Sequence, residues 1–595
     1  MSLRDIVQPF TVWKRALDKP YTSLKPLEER PGAPRYRGFH INNTAKCIGC
    51  GTCETICQNE AIDLVAVLGQ KTKHGDSGLR PQIDYGRCCW CALCVDMCPT
   101  SSLGMSNEYV WIETDPEKYR FVPGVDDKSW NDCELGYRRS EGYDLLTAKR
   151  VEMPMLPFAE SQKSFVEMVQ GYSKEQAMKE ADRCIECGLC IATCPAHMNV
   201  PAYIAAIRKD EVEEGLRIVY EANPLPASCG RICSHACEYV CAMKHRGEAL
   251  SIRWLKRYIV DQIYAMDYKK VLKTAEPDNG KTIAIIGSGP GGLAAAYYLR
   301  MLGYGVTIYD SKDKAGGMLR YGIPEYRLPY DQIDKDINWL KELGVSINQS
   351  VRIGRDISFE QLHRDNDALF FSTGLGKPFG LEIPGDDLPG VKDGLKVLED
   401  VTNGVDADLG DSVVVVGGGN VAMDAARTSR RFNAAVTILY RRRIEDMPAD
   451  VEEVHESQGE GCVIRAQAIP LRVEKGTTKR LRLVWGKADM VTDGKGGRPV
   501  PVLIPGSEEV IECDTVVAAI GQGAEYEFIP QDIAAKLQFN KGNVVVNEFK
   551  QTGDPKVFAG GDIVNPKKDA ISGIANGHSA AKGIDIWLTN FKDKA

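Results

Sequence analysis

Between Cys241 and Cys462 this sequence has no cysteine. The long central stretch therefore offers no dithiol through which electrons could leave as a disulfide exchange. Apolar runs are short: those such as Val413 to Val416 are strand-sized, far below the roughly 18 residues of a membrane span. No apolar segment follows Met1-Ser2-Leu3-Arg4-Asp5, so no signal peptide is expected and the expected location is cytoplasmic. Nor is there a long basic run, and the net charge of -8 is mild for 595 residues. Nucleic acid is not an expected partner. That length implies about three to five domains.

Cysteine is abundant elsewhere. Of the 20 cysteines, 16 fall in four tight groups of four. A secreted disulfide scaffold is short and spreads its cysteines, whereas dense repeats in a large chain point to metal. The first pair of groups is Cys47-x2-Cys50-x2-Cys53-x3-Cys57 and Cys88-x2-Cys91-x2-Cys94-x3-Cys98-Pro99. This is the spacing of a bacterial ferredoxin with two [4Fe-4S] clusters, where the fourth cysteine of each run ligates the other cluster. One cluster is expected on Cys47, Cys50, Cys53 and Cys98, the other on Cys88, Cys91, Cys94 and Cys57. Zinc sites rarely take three cysteines at two-residue intervals plus a fourth. Gln58 stands where the first run usually has proline, Cys89 is an extra thiol, and the insert through Gly69, Gly75 and Gly86 reads as a hairpin.

Before these runs, Pro9, Pro20, Pro26, Pro31 and Pro34, with Arg30, Arg35 and Arg37 between them, preclude a long helix. Residues 1–40 are expected to form an extended arm and 41–108 the ferredoxin domain. Residues 109–160 lack periodicity and read as a connector. A helix is expected from Ser161 to Asp182. It leads into Cys184-x2-Cys187-x2-Cys190-x3-Cys194 and Cys229-x3-Cys233-x3-Cys237-x3-Cys241, which suffice for two further clusters in a helical domain over 161–275.

The central stretch is organised on Thr282-Ile283-Ala284-Ile285-Ile286-Gly287-Ser288-Gly289-Pro290-Gly291-Gly292. A buried parallel strand runs into a phosphate loop that includes Pro290: Gly287 for the tight turn, Gly289 for close approach of a pyrophosphate, Gly292 for helix–strand packing, followed by an Ala-rich helix expected over Leu293 to Leu302. The next strand, Gly305 to Tyr309, ends at Asp310, where a ribose hydroxyl needs an acceptor. A second loop, Gly417-Gly418-Gly419-Asn420-Val421-Ala422, follows the strand Ser412 to Val416. Its second strand ends in Tyr440-Arg441-Arg442-Arg443. Arg441 and Arg442 favour a 2′-phosphate and offer no acceptor to a free 2′-hydroxyl, so NADP(H) is expected over NAD(H).

Three passages resemble a known family. Ala181-Asp182-Arg183-Cys184-Ile185-Glu186-Cys187, the Asn223-Pro224-Leu225-Pro226 turn and Cys229-Gly230-Arg231-Ile232-Cys233 are similar to the small subunit of glutamate synthase. They are equally similar to the large subunit of NADH-dependent ferredoxin:NADP oxidoreductase and to the N-terminal half of dihydropyrimidine dehydrogenase. The resemblance covers about residues 160–595. It implies FAD between two half-domains, 281–388 and 516–595, with an NADP(H) domain at 389–515 between them. It places Gly317, Arg320 and Arg327 in a glycine-rich passage along the flavin, Thr373 and Gly374 in a turn beside it, and Gly561 and Asp562 in the second FAD signature. Gly521 joins these cofactor-binding candidates. The helix from about Ala570 to Leu588 is expected to aim its N-terminus at the flavin.

The resemblance also implies clusters on Cys184, Cys187, Cys190 and Cys241, and on Cys194, Cys233 and Cys237. In the relatives the last cluster takes a Glu or Gln from a downstream helix. Lys256 stands at that position here, and a protonated lysine cannot ligate iron, which leaves Cys229 as the substitute.

The expected fold is multidomain α/β: two Rossmann-like domains for FAD and NADP(H), preceded by a helical iron–sulfur domain and an N-terminal α+β ferredoxin domain. The expected activity is hydride transfer from NADPH to flavin, followed by single electrons into four [4Fe-4S] clusters, with no catalytic side chain required. The chain is expected to serve a hetero-oligomer, passing electrons to ferredoxin or further redox subunits, as in a transhydrogenase. The alternative is a glutamate synthase small subunit with a fused ferredoxin, which would need a synthase large subunit, since Ser2 stands where a glutaminase needs its cysteine. A ferredoxin-like scaffold that only wires two partners is disfavoured by the intact second loop and Arg441.

Overall fold

The computed structural model describes residues 13, 16–18, 32–69, 73–140, 148–265, 268–492 and 499–590. They divide into two compact units. The first is Met1–Lys149 with Ile185–Leu189 and Val240–Ala249; the second is Arg150–Cys184, Cys190–Tyr239 and Leu250–Ala595.

In the first unit, β1 (His40–Asn42) pairs antiparallel with β4 (Leu103–Met105). β2 (Ile62–Ala66) and β3 (Leu79–Asp84) form the hairpin expected of the insert, and β5 (Arg120–Phe121) adds to β3. The stretch read as a connector is part of this core. Phe121 and Trp130 are buried with Phe39, Ile83 and Tyr85, Trp111 packs on them, and the Phe39 and Trp130 rings stack at 4.6 Å. The segment lacks periodicity because it contributes scattered aromatics from loops rather than one face of an element. Of the proline-rich arm, Pro34 to Arg37 are described, and Arg37 lies 4.8 Å over the Tyr137 ring. Pro9, Pro20, Pro26, Arg30 and Pro31 lie outside the described residues.

In the second unit, the helix expected over Ser161–Asp182 is absent as such. A single turn, Phe158–Ser161, is followed by irregular chain and then α1 (Lys174–Ala181). Ser173 caps α1 in a capping box with Gln176, a start signal stronger than the apolar spacing upstream. α2 (Val200–Arg208), α3 (Val212–Ala222), α4 (Pro226–Ile232) and α5 (Ile252–Tyr264) complete the helical part.

Two parallel sheets follow. In the first, β6 (Thr282–Ile286) lies between β7 (Gly305–Tyr309) and β9 (Ala368–Phe371), with β8 (Ser346–Asn348) and β15 (Val557–Ala559) at the edges. In the second, β11 (Ser412–Val416) lies between β12 (Ala435–Tyr440) and β14 (Thr515–Ala518), with β10 (Val391–Asp393) and β13 (Val463–Ala466) outside. Unbroken burial of Ile283–Ile286 and Val413–Val416 explains their continuous apolar runs. Helix α6 (Pro290–Met301) leaves the first loop and α8 (Asn420–Arg431) the second; α7 (Tyr330–Glu342) lies between them in sequence. The last helix, α9 (Ala570–Asn590), packs backbone to backbone on α6: a Cβ at Gly577 would stand 2.3 Å from the Gly291 carbonyl oxygen.

Candidate functional site

Both dinucleotide loops sit where β6 and β11 meet their helices. A Cβ on Gly287 would lie 2.5 Å from the Ser372 carbonyl oxygen, and one on Gly417 2.2 Å from that of Ala519. Each glycine thus lets the loop pass over the end of a neighbouring strand. Gly289 and Gly419 begin α6 and α8, and a Cβ on either would point into open space. That open space at a helix N-terminus suits a pyrophosphate. Gly292 packs hardest: its Cβ would stand 2.0 Å from the Gly287 carbonyl oxygen.

The two loops differ at the end of the second strand. Asp310 is buried and accepts hydrogen bonds from the Ser288 amide (2.7 Å), the Ser288 hydroxyl (2.5 Å) and the Lys312 amide (2.9 Å). Tyr440 takes the equivalent place, and its ring would lie 2.4 Å from a Cβ on Gly418. The middle glycine is thus required by an aromatic ring, a need the motif alone does not reveal. Arg441 is exposed, and among the described residues it makes no ion pair. Arg442 donates to the Pro499 carbonyl at 3.1 Å, and Arg443 faces Glu445 and Asp446. Asn420 Oδ1 accepts from the Asp450 amide, and Val421 lines the approach to Gly394.

On the FAD side, Thr373 Oγ1, Asn565 Nδ2, Ser572 Oγ and Asn576 Oδ1 are buried polar atoms without a partner in the protein. They lie on the segments that meet the first loop: a Cβ on Gly291 would contact Ser372 Oγ, the Gly573 carbonyl oxygen and Gly561 Cα. Such atoms await a polar ligand, and the fit to FAD is good. Burial, then the nearby Asp569, push the Asp562 carboxyl up to about 6; hydroxyl donors from a ligand would reverse that. Gly317, at φ +56, starts a short helical turn against Gly289, and Gly374 faces open space. Gly521, at φ +130, accepts from the Phe379 amide. Two candidates are occupied otherwise than expected. Arg327 donates to both Asp424 carboxylate oxygens at 2.7 Å and pairs with Glu453, tying its segment to α8. Arg320 pairs with Asp334 and lies 5.2 Å over the Tyr330 ring. Carboxylates distant in sequence claim both guanidinium groups.

The cysteine runs share a backbone signature. In each of the three Cys-x2-Cys-x2-Cys-x3-Cys runs the residues flanking the second cysteine are left-handed: Gly49 and Gly51, Trp90 and Ala92, Glu186 and Gly188. Three residues beyond the fourth cysteine, Glu60, Ser101 and His197 are left-handed too. Alternation of this kind turns successive amides toward one point, an anion-binding nest. Six of these nine residues are neither glycine nor asparagine, so the shape is held at a cost in backbone strain. In the first unit, Cys47, Cys50, Cys53 and Cys98 line one cavity, and the charge neighbours of Cys94 include Cys88, Cys91 and Cys57. The cysteines are thus grouped as the expected crossed pairing requires.

Sequence reading missed the polar groups around these sulfurs. His40 Nε2 lies 3.3 Å from Cys94 Sγ, and burial lowers the His40 pKa to about 4, leaving a neutral ring that can donate. Thr52 Oγ1 is 3.2 Å from Cys50 Sγ, Ser102 Oγ 3.4 Å from Cys98 Sγ, and the Ala61 amide 3.3 Å from Cys57 Sγ. Hydrogen bonds to sulfur raise cluster potentials. Thr52 and Ser102 stand two and four residues from a cysteine and were findable; His40, 54 residues from Cys94, was not. Within the same unit, Cys50 and Cys187 belong to one apolar cluster with Ile185, Leu189 and Val240. Cys241 is buried in this unit, whereas Cys184 and Cys190 fall in the second.

The fourth group is built differently. Cys229 lies on α4 and Cys237 on the helical turn Ala236–Tyr239. α4 packs directly on α5, which carries Lys256: a Cβ on Gly230 would stand 3.1 Å from Arg257 Cα. Burial lowers the Lys256 pKa, but the Coulomb field of Cys233, Cys229, Cys237 and Cys194 outweighs it and raises the value. α4 is held from the FAD side: Asp336 of α7 accepts from the Ala227 amide, the Ser228 amide and the Ser228 hydroxyl. Ser234, between Cys233 and Cys237, donates to Asp569 Oδ2 at 3.2 Å, at the start of α9.

Family comparison agrees with this geometry. The description "pyridine nucleotide-disulphide oxidoreductase" matches residues 281–583. The chain belongs to that family. FAD and NADP(H) binding come with it, and two further matches assign [4Fe-4S] clusters: "dihydropyrimidine dehydrogenase domain II, 4Fe-4S cluster" over 161–268 and a "4Fe-4S dicluster domain" over 46–102. The chain is 39% identical over 426 residues to the NADP(+)-dependent formate dehydrogenase subunit beta of Moorella thermoacetica, across 67% of this chain and 60% of that one. It is 37% identical over 437 residues to the NADPH-Fe(3+) oxidoreductase subunit beta of Geobacter sulfurreducens, across 68% and 64%. These matches span less than two thirds of either relative. With the glutamate synthase [NADPH] small chain of Escherichia coli it shares 31% identity over 468 residues, 75% of this chain and 98% of that one. It therefore belongs to the glutamate synthase small-chain group, as the three cysteine-rich passages imply. No helix among the described residues is long and apolar enough to cross a membrane.

Proposed function

We propose that this chain is the NADP(H)-linked electron-transfer subunit of a multisubunit oxidoreductase, moving electrons between NADP(H), FAD, four [4Fe-4S] clusters and a ferredoxin or partner subunit. The observation that carries this reading is the hydrogen bond from Ser234 to Asp569. It joins the loop between Cys233 and Cys237 to the segment that begins α9, beside the orphaned polar atoms of the FAD cleft. FAD held there would accept a hydride from NADPH and release electrons singly to iron–sulfur centres. The protein positions the parts. Gly289 and Gly419 leave room for two pyrophosphates, Arg441 offers a guanidinium to a 2′-phosphate, and Asp336 fixes α4, and with it Cys229, against the FAD side. Neither loop carries a pair of cysteines to accept electrons as a dithiol, so the Cys229–Cys237 group serves as the exit. The apposition of Cys50 and Cys187 then supports onward flow toward the ferredoxin clusters, and the exposed Cys89 and Cys91 mark the far cluster as the port for a partner.

The relatives named as beta subunits support a hetero-oligomer. Coverage of 98% of a glutamate synthase small chain favours, as a second reading, a synthase large subunit as the partner. Anaerobic native purification with mass spectrometry separates the two. Co-purification of another redox subunit, with NADPH preferred over NADH in dye reduction, is the expected result. A fixed-ratio amidotransferase-synthase partner would replace this reading with the second, and a flavin-loaded chain inert toward both nicotinamides would overturn both.

A further inference from the structure

Helix α5 carries three buried cations in adjacent turns: Arg253, Lys256 and Arg257. Two have carboxylate partners. Arg253 pairs with Glu452, and Arg257 with Glu167 and Asp261. Lys256 is 4% exposed, and among the described residues it has no carboxylate partner. The acids beside the cysteine group are engaged: Glu238 accepts from the Arg253 amide and pairs with Arg150, and Asp336 serves Ala227, Ser228 and Tyr264. A buried ammonium without a counter-charge is strongly disfavoured, so the fold needs an anion here. The charges that act on the ammonium are those of Cys233, Cys229, Cys237 and Cys194, and the helix of Cys229 meets α5 directly, a Cβ on Gly230 standing 3.1 Å from Arg257 Cα.

We propose that Lys256 is the fixed counter-charge of a [4Fe-4S] cluster held by Cys194, Cys229, Cys233 and Cys237, a positioning and tuning residue rather than an iron ligand. The inference rests on the iron–sulfur reading of this cysteine group. A cubane with four thiolates is a net anion, and reduction adds one further negative charge. A cation fixed beside it at low dielectric stabilises the reduced form more than the oxidised form. The potential of this cluster is thereby raised, which suits the centre next to the flavin: it draws the first electron off. Four cysteines make the ligand set complete, so the residue on α5 is free to carry charge in place of a ligating oxygen.

The test uses the full chain purified anaerobically with its cofactors, with iron and sulfide per chain and an EPR-monitored redox titration as readouts. Lys256→Leu removes the charge without supplying a new ligand atom; Lys256→Arg keeps the charge. The expected result is unchanged iron content in Lys256→Leu, one cluster shifted to more negative potential, the other clusters unmoved, and near-native behaviour in Lys256→Arg. Loss of one cluster's iron in Lys256→Leu but not in Lys256→Arg also supports the counter-charge. Unchanged potentials in Lys256→Leu with full iron overturn the proposal, as does loss of iron in both variants. Cys229→Ser and Cys237→Ser test the underlying reading separately: if neither lowers iron content, no cluster resides there and the reading itself fails.

Discussion

The two dinucleotide loops are copies of one device that diverge most at the end of the second strand. Gly287 and Gly417 both donate an amide to the second strand, to the Tyr309 and Leu439 carbonyls, and both pass over the carbonyl of a third-strand neighbour. Register equates Asp310 with Tyr440, and the loop residue facing each has changed with it: Ser288 hydrogen-bonds Asp310, and Gly418 makes room for the Tyr440 ring. The first two glycines of the phosphate part are dictated by backbone sterics and are shared, Gly287 with Gly417 and Gly289 with Gly419. The ribose part is a pair of side chains, one on the loop and one on the strand end, that must change together.

This comparison breaks most sharply at the helix–loop contact. Gly292→Ala puts a Cβ 2.0 Å from the Gly287 oxygen. Overpacking of that kind costs about 1–3 kcal/mol, so the variant is expected to retain roughly tenfold to a hundredfold less FAD, read from absorbance after gel filtration. The second loop already carries alanine there, and its Ala422 Cβ would clear a Cβ on Gly417 by 3.3 Å. Ala422→Gly should keep its FAD and lose only about 1 kcal/mol of stability through helix propensity. Equal flavin loss in both would mean that the loops are not equivalent.

At the strand end, Arg441→Ala removes one charge-assisted hydrogen bond, worth about 1.5–3 kcal/mol. The KM for NADPH is expected to rise about tenfold to a hundredfold, with kcat/KM for NADH unchanged; a parallel rise for NADH would place Arg441 outside the 2′-phosphate site. A smaller effect is expected from the double change Gly418→Ser with Tyr440→Asp, which copies the Ser288–Asp310 pair into the second loop. The ratio of NADH to NADPH use should rise by about fivefold to tenfold, roughly one neutral hydrogen bond, and by more than either single change gives. Smallest is Gly418→Ala, whose methyl displaces the Tyr440 ring. A loss near 1 kcal/mol in thermal stability is expected, with nicotinamide preference intact.

Much of this site was legible because its constraints are local. The strand Ser412–Val416 and the glycines behind it are fixed by burial on both faces and by carbonyls one strand away, and such sterics write themselves into adjacent residues. The crossed cysteine pairs were legible for the same reason, since three left-handed turns demand fixed spacing. The misreadings arise where partners are remote. Trp111, Phe121 and Trp130 looked like a connector because their spacing matches no element, yet they fill the core beside β3. A helix was expected from Ser161 to Asp182, but within it the Met168 amide donates to the Tyr326 carbonyl and its carbonyl accepts from the Leu156 amide. The pairing of Arg327 with Asp424, 97 residues away, was likewise not legible. The Gly573-x3-Gly577 spacing that lets α9 sit on α6 was visible, and its meaning was not, because only the packed pair shows which helix it faces.

The central claim is that electrons entering at the second loop leave through the Cys229–Cys237 group. Its most direct test is anaerobic addition of NADPH to the cofactor-loaded chain, with flavin absorbance and low-temperature EPR followed on the same sample. The account predicts flavin bleaching together with a reduced iron–sulfur signal that is absent in Cys233→Ser. Full bleaching with the cluster signal missing in the native chain, or undiminished in Cys233→Ser, would contradict it.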